Sequence, residues 1–233
     1  MVKKDPAGIR HMFDTIAPRY DFLNRFLSLR QDVYWRKKLV AAMPADSKAW
    51  LDIACGTADV AIEALRKGPG NRQVFGMDFS HAMLQKGKKK ITVKNHENRI
   101  HLLAADAFAP PFAENRFDTA TIAFGIRNIA DKPAALRAFH RHLKADGVLG
   151  VLELTTPAKG ALKTLYMIYF QHVLPLVGWF FSRNMGAYQY LPSSVIAFPP
   201  AAEFAEMMRD AGFKDVTFQR LTFGIATLYV GRK

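Results

Sequence analysis

Three aspartates lie in or directly after three short apolar runs. Asp52 is inside the first run, Trp50–Ile53, whereas Asp78 ends the second and Asp106 ends the third. A turn containing Gly56 follows the first run, and Asp78 comes 22 residues after that glycine. An acidic residue about 20 residues beyond a glycine turn is suited to bind the paired hydroxyls of a ribose. The spacing therefore predicts a nucleoside site.

The glycine turn narrows the class of nucleoside. Gly56 is the one glycine in CGTAD, residues 55–59, whereas a dinucleotide site carries three glycines that bring the backbone against a pyrophosphate. Gly56 allows a close approach because it has no Cβ, and the first amides of a following helix favour electron-rich groups. We therefore expect a nucleoside cofactor without a pyrophosphate. S-adenosylmethionine fits, since it has a ribose, an adenine and an amino acid end with both charges.

Predicted strands alternate with predicted helices through the middle of the chain. This order predicts an α/β fold with a mostly parallel sheet that helices cover on both faces. Right-handed crossovers bring the carboxyl ends of the strands, where ligands bind, to one edge. Turn residues 145–147 precede the fifth strand, and Ser80 is a candidate N-cap. The strands are predicted at 50–54, 73–77, 100–105, 119–124 and 148–154, and the helices at 60–67, 81–94 and 133–143.

The two ends of the chain differ from this core. Residues 9–43 predict two or three short helices, and residues 158–198 form an insertion after the fifth strand. A helix at 201–211 and two strands at 215–221 and 225–231 follow, and their short connection predicts an antiparallel hairpin. We therefore predict a single domain over residues 1–233, with an N-terminal helical segment at 1–45 and the insertion as a cover.

The apolar stretch 164–181 within the insertion is almost long enough to span a bilayer. Gln171, His172 and Pro175 lie in its middle, where a lipid-exposed helix tolerates them poorly. We expect a buried or interfacial helix instead. The N-terminus has no apolar run of the kind found in signal peptides, so a cytoplasmic location is expected.

Composition points to an anionic partner. The 233 residues carry a formal net charge of +13, which suits a nucleic acid, an acidic membrane surface or an acidic substrate. The single cysteine, Cys55, excludes an internal disulfide and a cysteine-based metal cluster, and no metal site is predicted. The basic residues are not interleaved with aromatics as in an RNA-binding module, which weakens the nucleic acid alternative.

Several stretches resemble the ubiquinone/menaquinone biosynthesis C-methyltransferases over nearly the whole chain. CGTAD is shared by many methyltransferases, whereas FGIRN (124–128) together with YQYLPSSVIAFP (188–199) is specific to this family. The resemblance implies a Rossmann-like class I methyltransferase fold with a seven-stranded sheet, and S-adenosylmethionine-dependent C-methylation of a polyprenylated quinol. The other matching stretches are FDTIAPRYDFLNRFLS (13–28), LDIACGTAD (51–59), GMDFSHAML (76–84), FDTATIAFGIRNIAD (117–131) and LTFGIATLYVGRK (221–233).

The resemblance also implies cofactor contacts. Gly56 and Thr57 would meet the amino acid end, Asp78 would hold the ribose, and Asp106 with Ala107 would meet the adenine, with Phe79 in the same site. Asp52 is either a ligand of the amino group or an organiser of the loop. Ala58, in place of the second glycine of the commoner CGTGD, and LELTTP (152–157) look nearer the menaquinone branch. Naphthoquinol and benzoquinol substrates both stay open, and the sequence does not indicate an oligomeric state.

Methylation of a quinol ring carbon is helped when the ring hydroxyl loses its proton. Arg127 and Asn128 follow the fourth strand at the binding edge. Arg127 is predicted to stabilise the developing phenolate, with a pair to Asp131 as the alternative. Asn128 is predicted to contact the substrate, or to cap its loop.

Aromatic residues outside the core complete the predicted catalytic set. Tyr188 and Tyr190 either orient the quinol hydroxyl or pack as part of a cover. Tyr20 is predicted to close over the cofactor, and His172 is either a base or a packed histidine. Ala123 is assigned no contact.

Five lysines between Lys86 and Lys94 form either a solvated helix face or part of a membrane contact. With the apolar stretch 165–181, they would hold the protein at an anionic membrane surface on the inner face of the cell membrane. A methyltransferase for another small amphiphile is the second alternative to the quinol enzyme.

Overall fold

A sheet with strand order β3-β2-β1-β4-β5-β7-β6 organises the chain. Strands β1 to β5 are parallel, and β7 runs antiparallel to both β5 and β6. The structure, a computed structural model, describes residues 6–157, 164, 166, 168, 169 and 185–233, without the side chains of 6 and 185–189. The strands are β1 (Ala49–Ile53), β2 (Gln73–Asp78), β3 (Ile100–Ala104), β4 (Phe117–Ala123), β5 (Leu143–Leu154), β6 (Lys214–Leu221) and β7 (Ala226–Arg232).

Helices cover both faces of this sheet. One buried layer holds Phe139 of α6 and Phe204 of α8, and the opposite layer holds Leu39 of α3 and Leu65 of α4. The α/β prediction, with a parallel core and a C-terminal hairpin, is confirmed. The helices are α1 (Pro6–Ile16), α2 (Tyr20–Leu27), α3 (Gln31–Ala41), α4 (Asp59–Lys67), α5 (His81–Val93), α6 (Lys132–His142), α7 (Met185–Ile196) and α8 (Ala201–Asp210).

Most predicted element boundaries agree with the structure to within about two residues, but the start of β5 was predicted wrongly. The turn expected at 145–147 lies inside the strand, which begins at Leu143. Phe117 pairs with Leu143 and Thr119 pairs with Val148, so the intervening residues form a bulge. Asp146 takes a left-handed φ of 61° within it. A bulge preserves pairing on both sides of the turn residues.

The sheet order creates the binding edge. β1 pairs with β2 on one side and with β4 on the other, so the strand order reverses beside β1. Ligands bind outside the carboxyl ends of strands at such a switch point. The loops after β1, β2, β3 and β4 therefore meet at one place. Among the residues that the structure describes, no helix combines the length and apolar character needed to cross a bilayer.

Candidate active site

A cleft opens at the carboxyl ends of β1, β2, β3 and β4. It brings together six of the residues predicted from the sequence, which come from four separate loops. Its walls are otherwise mostly apolar, as is usual for a small-molecule site. The six residues are Gly56, Asp78, Phe79, Asp106, Ala107 and Asn128.

Asp78 organises the glycine turn. Its Oδ2 accepts a hydrogen bond from the Gly56 amide at 2.8 Å, and its Oδ1 accepts one from the Ser80 amide at 2.8 Å. Burial raises the pKa of Asp78, and these two hydrogen bonds oppose the rise. Gly56 has φ +54°, a conformation that glycine adopts without strain. A carboxylate oxygen accepts more than one hydrogen bond, so Asp78 keeps acceptor capacity toward the cleft.

A second, smaller pocket adjoins the cleft on the other side of Gly56, and it contains Asp52 and Arg36. Asp52 is 1% exposed, and its Oδ1 accepts a hydrogen bond from the Thr121 hydroxyl at 3.0 Å. Its Oδ2 has no hydrogen-bond partner among the described residues. Burial raises the pKa of Asp52 to about 7, and hydrogen bonds from the Thr121 hydroxyl and the Ala61 backbone oppose that rise. A buried carboxylate with a vacant oxygen is suited to a cationic group.

Thr57 lines this pocket, and its hydroxyl is engaged by two neighbouring helices. The hydroxyl donates to Asp21 Oδ1 at 2.6 Å and accepts from Lys90 Nζ at 3.0 Å. Lys90 also contacts both Asp21 and Asp59, the first residue of α4. The side chain of Thr57 therefore joins α2 and α5 to the turn.

The loop after β3 supplies the far wall of the cleft. Asp106 is exposed, and its Oδ1 accepts a hydrogen bond from the Phe108 amide at 2.9 Å. Ala107 lies between these two residues. The loop thus offers one carboxylate and a small apolar residue to a planar group.

Arg127 lies behind the cleft wall in a buried ion pair. Its Nη1 donates to Glu153 Oε1 at 2.7 Å, and its amide donates to Glu153 Oε2 at 3.0 Å. The Arg127 side chain is 7% exposed and the Glu153 side chain is fully buried. The predicted alternative, a pair with Asp131, is wrong, because Asp131 caps α6 by accepting from the Ala134 amide.

Asn128 and Tyr190 meet at the cleft wall. The Tyr190 hydroxyl donates to Asn128 Oδ1 at 3.0 Å, which joins α7 to the loop after β4. The side-chain oxygen of Asn128 therefore accepts from another helix, in contrast to the alternative prediction that it caps its own loop. The Tyr188 side chain and His172 lie outside the described residues, as do most residues of the apolar stretch 164–181.

The N-terminal helices cover the cleft. Ile9, Phe13 and Tyr20 line it, and the Phe13 ring lies 6.3 Å from that of Tyr20 and 6.2 Å from that of Phe79. Tyr20 lines the smaller pocket as well. The position predicted for Tyr20 over the ligand site agrees with this arrangement, which excludes water from one side of the cleft.

Comparison with known proteins decides the family. The profile of the ubiE/COQ5 methyltransferase family matches residues 1–233. The chain belongs to this family. A protein of Geotalea uraniireducens named ubiquinone/menaquinone biosynthesis C-methyltransferase UbiE is 47% identical over 226 residues, which cover 97% of this chain and 96% of that protein. The demethylmenaquinone methyltransferase of Thermus thermophilus is 46% identical over 221 residues, 94% of this chain and 99% of its own.

A solved structure supports the fold. Phosphoethanolamine N-methyltransferase 2 of Haemonchus contortus, in complex with S-adenosyl-L-methionine, matches with a TM-score of 0.62 and 16% identity, over 88% of this chain and 52% of that one. Likeness at this identity concerns the fold alone. It confirms the predicted Rossmann-like fold. The cofactor prediction, S-adenosylmethionine, is supported by membership of the ubiE/COQ5 methyltransferase family. This ubiE/COQ5 family member is an S-adenosylmethionine-dependent C-methyltransferase.

The two pockets of this ubiE/COQ5 family member fit the cofactor. The smaller pocket has a carboxylate with a vacant oxygen, Asp52, and a guanidinium, Arg36. Arg36 also pairs with Asp32 and lies 3.9 Å from Asp59. The Asp52 carboxylate suits the ammonium of an amino acid, and the remaining donors of Arg36 suit its carboxylate. The larger cleft has Asp78 for hydroxyl groups and mostly apolar walls for a base.

Sequence reasoning missed several residues of this site. Arg36 and Glu153 are charged residues whose partners are distant in sequence, so no local signal identified them. Phe13 lay in a matching stretch but was given no role. Ala123, which was assigned no contact, lines both pockets.

Proposed function

We propose that this chain methylates a ring carbon of demethylmenaquinol, a naphthoquinol with a polyprenyl tail. The relatives named above carry out this type of reaction by name, and one is named for the menaquinone substrate alone. Ala58 and residues 152–157 favour the same branch. When bound, the cofactor supplies an electrophilic methyl group carried on a sulfonium.

The residues of the two pockets have separate tasks in this proposal. Asp52 and Arg36 hold the amino acid end of the cofactor with opposite charges. Asp78 accepts hydrogen bonds from the ribose hydroxyls, and the loop of Asp106 and Ala107 contacts the adenine. Gly56 allows the cofactor to lie close to the turn because no Cβ intervenes.

The observation that carries the substrate class is the 3.0 Å hydrogen bond between Tyr190 and Asn128 at the cleft wall, beside buried Arg127. The hydroxyl and the amide are a donor and acceptor pair that can orient a quinol hydroxyl. A quinol hydroxyl bound beside Asn128 and Tyr190 would also lie next to the positive charge of Arg127.

Arg127 acts on phenols in this region. Burial raises the pKa of Tyr190 and Tyr166, and in both cases the charge of Arg127 opposes the rise. For Tyr190, the Glu153 carboxylate adds to the rise in pKa. A quinol hydroxyl is itself a phenol, so the charge of Arg127 favours its phenolate form against burial and Glu153 when it binds here. Phenolate character enriches the ring carbon in electrons, which makes that carbon a better nucleophile. Arg127 thus stabilises charge that develops during the reaction.

The polyprenyl tail and the net charge of +13 support a peripheral position at an anionic membrane. A long isoprenoid tail stays in the bilayer, so the enzyme must meet its substrate at that surface. Leu176, Trp179 and Phe180, in the apolar stretch 165–181 that is predicted to contact the membrane, lie outside the described residues. Two of the α5 lysines cannot bind a membrane surface as predicted, because Lys86 and Lys90 form ion pairs with Asp21.

The test offers the protein isotopically labelled S-adenosylmethionine with demethylmenaquinol or with the demethylated benzoquinol. We expect the mass of the naphthoquinol product to increase by one labelled methyl group, at a higher rate than for the benzoquinol. Transfer to neither quinol would overturn the proposal, and a preference for benzoquinol would overturn the branch.

A further inference from the structure

The outer face of α3 is basic and aromatic. Tyr34, Lys37 and Lys38 are exposed, and their spacing of three and four residues puts them on one side of the helix. Arg30, which directly precedes α3, is exposed as well. The Nζ atom of Lys38 lies 5.6 Å from the centroid of the Tyr34 ring. This face therefore combines three cations with one amphipathic ring.

No exposed acid offsets these cations in the neighbouring chain. Residues 19–41 contain two carboxylates, Asp21 and Asp32. The Asp21 side chain is 16% exposed and is paired with Arg25, and the Asp32 side chain is 5% exposed and is paired with Arg36. The charge that this part of the chain presents outward is consequently positive.

Two exposed apolar side chains lie at turns beside the start of α3. Leu29 is 83% exposed and Phe223, in the β6–β7 connection, is 82% exposed. The two turns are joined through Thr222, whose hydroxyl accepts from Trp35 Nε1 at 2.8 Å and donates to Gln31 at 3.0 Å. Both apolar residues have left-handed backbone angles, which bulky residues adopt rarely.

We propose that these six residues, here called the α3 surface (Leu29, Arg30, Tyr34, Lys37, Lys38 and Phe223), dock the enzyme on an anionic bilayer. The inference rests on the proposed function, since a bilayer holds the polyprenyl substrate. Cations bind anionic headgroups, tyrosine suits the interface, and apolar tips enter the acyl boundary. Tyr169, a described residue of the predicted substrate cover, donates to the Leu27 carbonyl at 2.9 Å, two residues before Leu29.

The α5 helix provides a matched comparison. Lys88 and Lys89 are exposed lysines like Lys37 and Lys38, and Val93 is 83% exposed like Leu29. They lie outside the α3 surface. A specific surface and a general effect of net charge therefore predict different results for equal changes of charge on the two helices.

The experiment is flotation with vesicles of phosphatidylglycerol and phosphatidylcholine, and with vesicles of phosphatidylcholine alone. We expect the unaltered chain to float only with the anionic vesicles. Lys37→Gln with Lys38→Gln should lower the partition coefficient by about tenfold or more, given about 1 kcal/mol for each cation near an anionic surface. Leu29→Ser with Phe223→Ser should lower it too. Lys88→Gln with Lys89→Gln, and Val93→Ser, should change it by less than about twofold.

Three outcomes would overturn the docking surface. The first is that the unaltered chain does not float with anionic vesicles. The second is that the α3 and α5 variants lose flotation equally. The third is that the α3 variants float as before but lose salt-sensitive retention of RNA. Thermal unfolding and cofactor affinity of each variant verify that it is folded. Methylation of a short-tailed, water-soluble quinol separates the two proposals. The α3 variants should keep that activity, whereas its absence in every variant would count against the proposed function alone.

Discussion

Asp52 and Arg36 hold opposite charges in the small pocket beside Gly56, where little water screens them. Burial raises the pKa of Asp52 to about 7, so the carboxyl is about half ionised near neutral pH when no ligand is bound. An ammonium group bound at its vacant oxygen would favour the ionised form. Without a ligand, the protein bears the free-energy cost of a buried, unpaired charge on Asp52. A bound ammonium group removes that cost, which strengthens binding.

Replacing Asp52 with Asn tests this interpretation through pH. The folded-state pKa of Asp52, about 7, exceeds the unfolded value of 3.8. Below about pH 4 the carboxyl is protonated in both states and does not affect the free energy of unfolding. Between about pH 4 and pH 7 only the unfolded state loses the proton readily, so Asp52 lowers the free energy of unfolding progressively. We expect the free energy of unfolding of Asp52→Asn, relative to the unaltered protein, to rise by about 2–4 kcal/mol over this range and then level off. Urea denaturation without cofactor measures it. A difference in the free energy of unfolding that does not depend on pH would contradict the prediction. The same substitution should also lower the affinity for the cofactor by about tenfold or more.

Arg127 has a structural partner as well as a proposed catalytic task, and the two can be separated. Arg127→Ala leaves Glu153 charged and buried, so it should lower the free energy of unfolding by about 3–5 kcal/mol. The double variant Arg127→Met with Glu153→Gln removes both charges and should recover most of this loss. It should nevertheless turn over about a hundredfold more slowly, with cofactor affinity nearly unchanged, because the charge near the quinol is gone. Unfolding, calorimetry and steady-state rates measure the three quantities, and full turnover in the double variant would refute the electrostatic task.

At the scale of elements, α1 and α2 complete the ligand site that the sheet edge begins. A cluster of charges holds α2 there, with Asp21 of α2, Asp59 of α4 and Lys90 of α5 at its centre. Asp14 of α1 accepts from the N-cap hydroxyl of α5 at 2.6 Å. Arg25 reaches Asp59 at 3.1 Å. Three helices from different parts of the chain thus meet next to the glycine turn, and their positions depend on one another.

Lys90→Gln should loosen this junction. We expect the dissociation constant for S-adenosylmethionine to increase by about fivefold to tenfold, because the helices that cover the cleft lose a central contact of partly buried charges. Lys89→Gln, an adjacent exposed lysine, is the matched control and should leave it unchanged. Titration calorimetry at low and high salt measures both. Equal effects of the two substitutions would show that the junction does not support binding.

Local signals were sufficient for most elements and for part of the site. The apolar runs of β1 to β4 and the N-cap of α5, where Ser80 accepts from the Met83 amide, depend on adjacent residues and were predictable. Glu153 is 26 residues from Arg127, and Asp21 is 36 residues from Thr57. Such pairs form only after the sheet has brought loops together, so no pattern of spacing reveals them. The bulge at Asp146 was missed because a turn and a bulge use the same residue types.

At the scale of the whole molecule, the smaller pocket and the proposed docking surface share α3. The parallel half of the sheet carries both pockets at its carboxyl edge, and buried Arg36 of α3 lines the smaller one. The antiparallel half supports α3 through Thr222 beside the surface proposed for docking. Substitutions on the exposed side of α3 should therefore affect membrane binding, whereas a substitution of Arg36 should affect cofactor binding.

The position of β7 has a consequence for how the protein is made. β7 is the last of the seven strands along the chain, yet it lies between β5 and β6, and seven residue pairs join it to β5 from Val148–Arg232 to Leu154–Ala226. During synthesis, one edge of β5 stays unpaired until β7 has been translated. An open edge of apolar residues invites pairing between nascent chains. Removal of residues 226–233 should therefore yield aggregated protein in a solubility assay, whereas shortening the N-terminus by five residues should not.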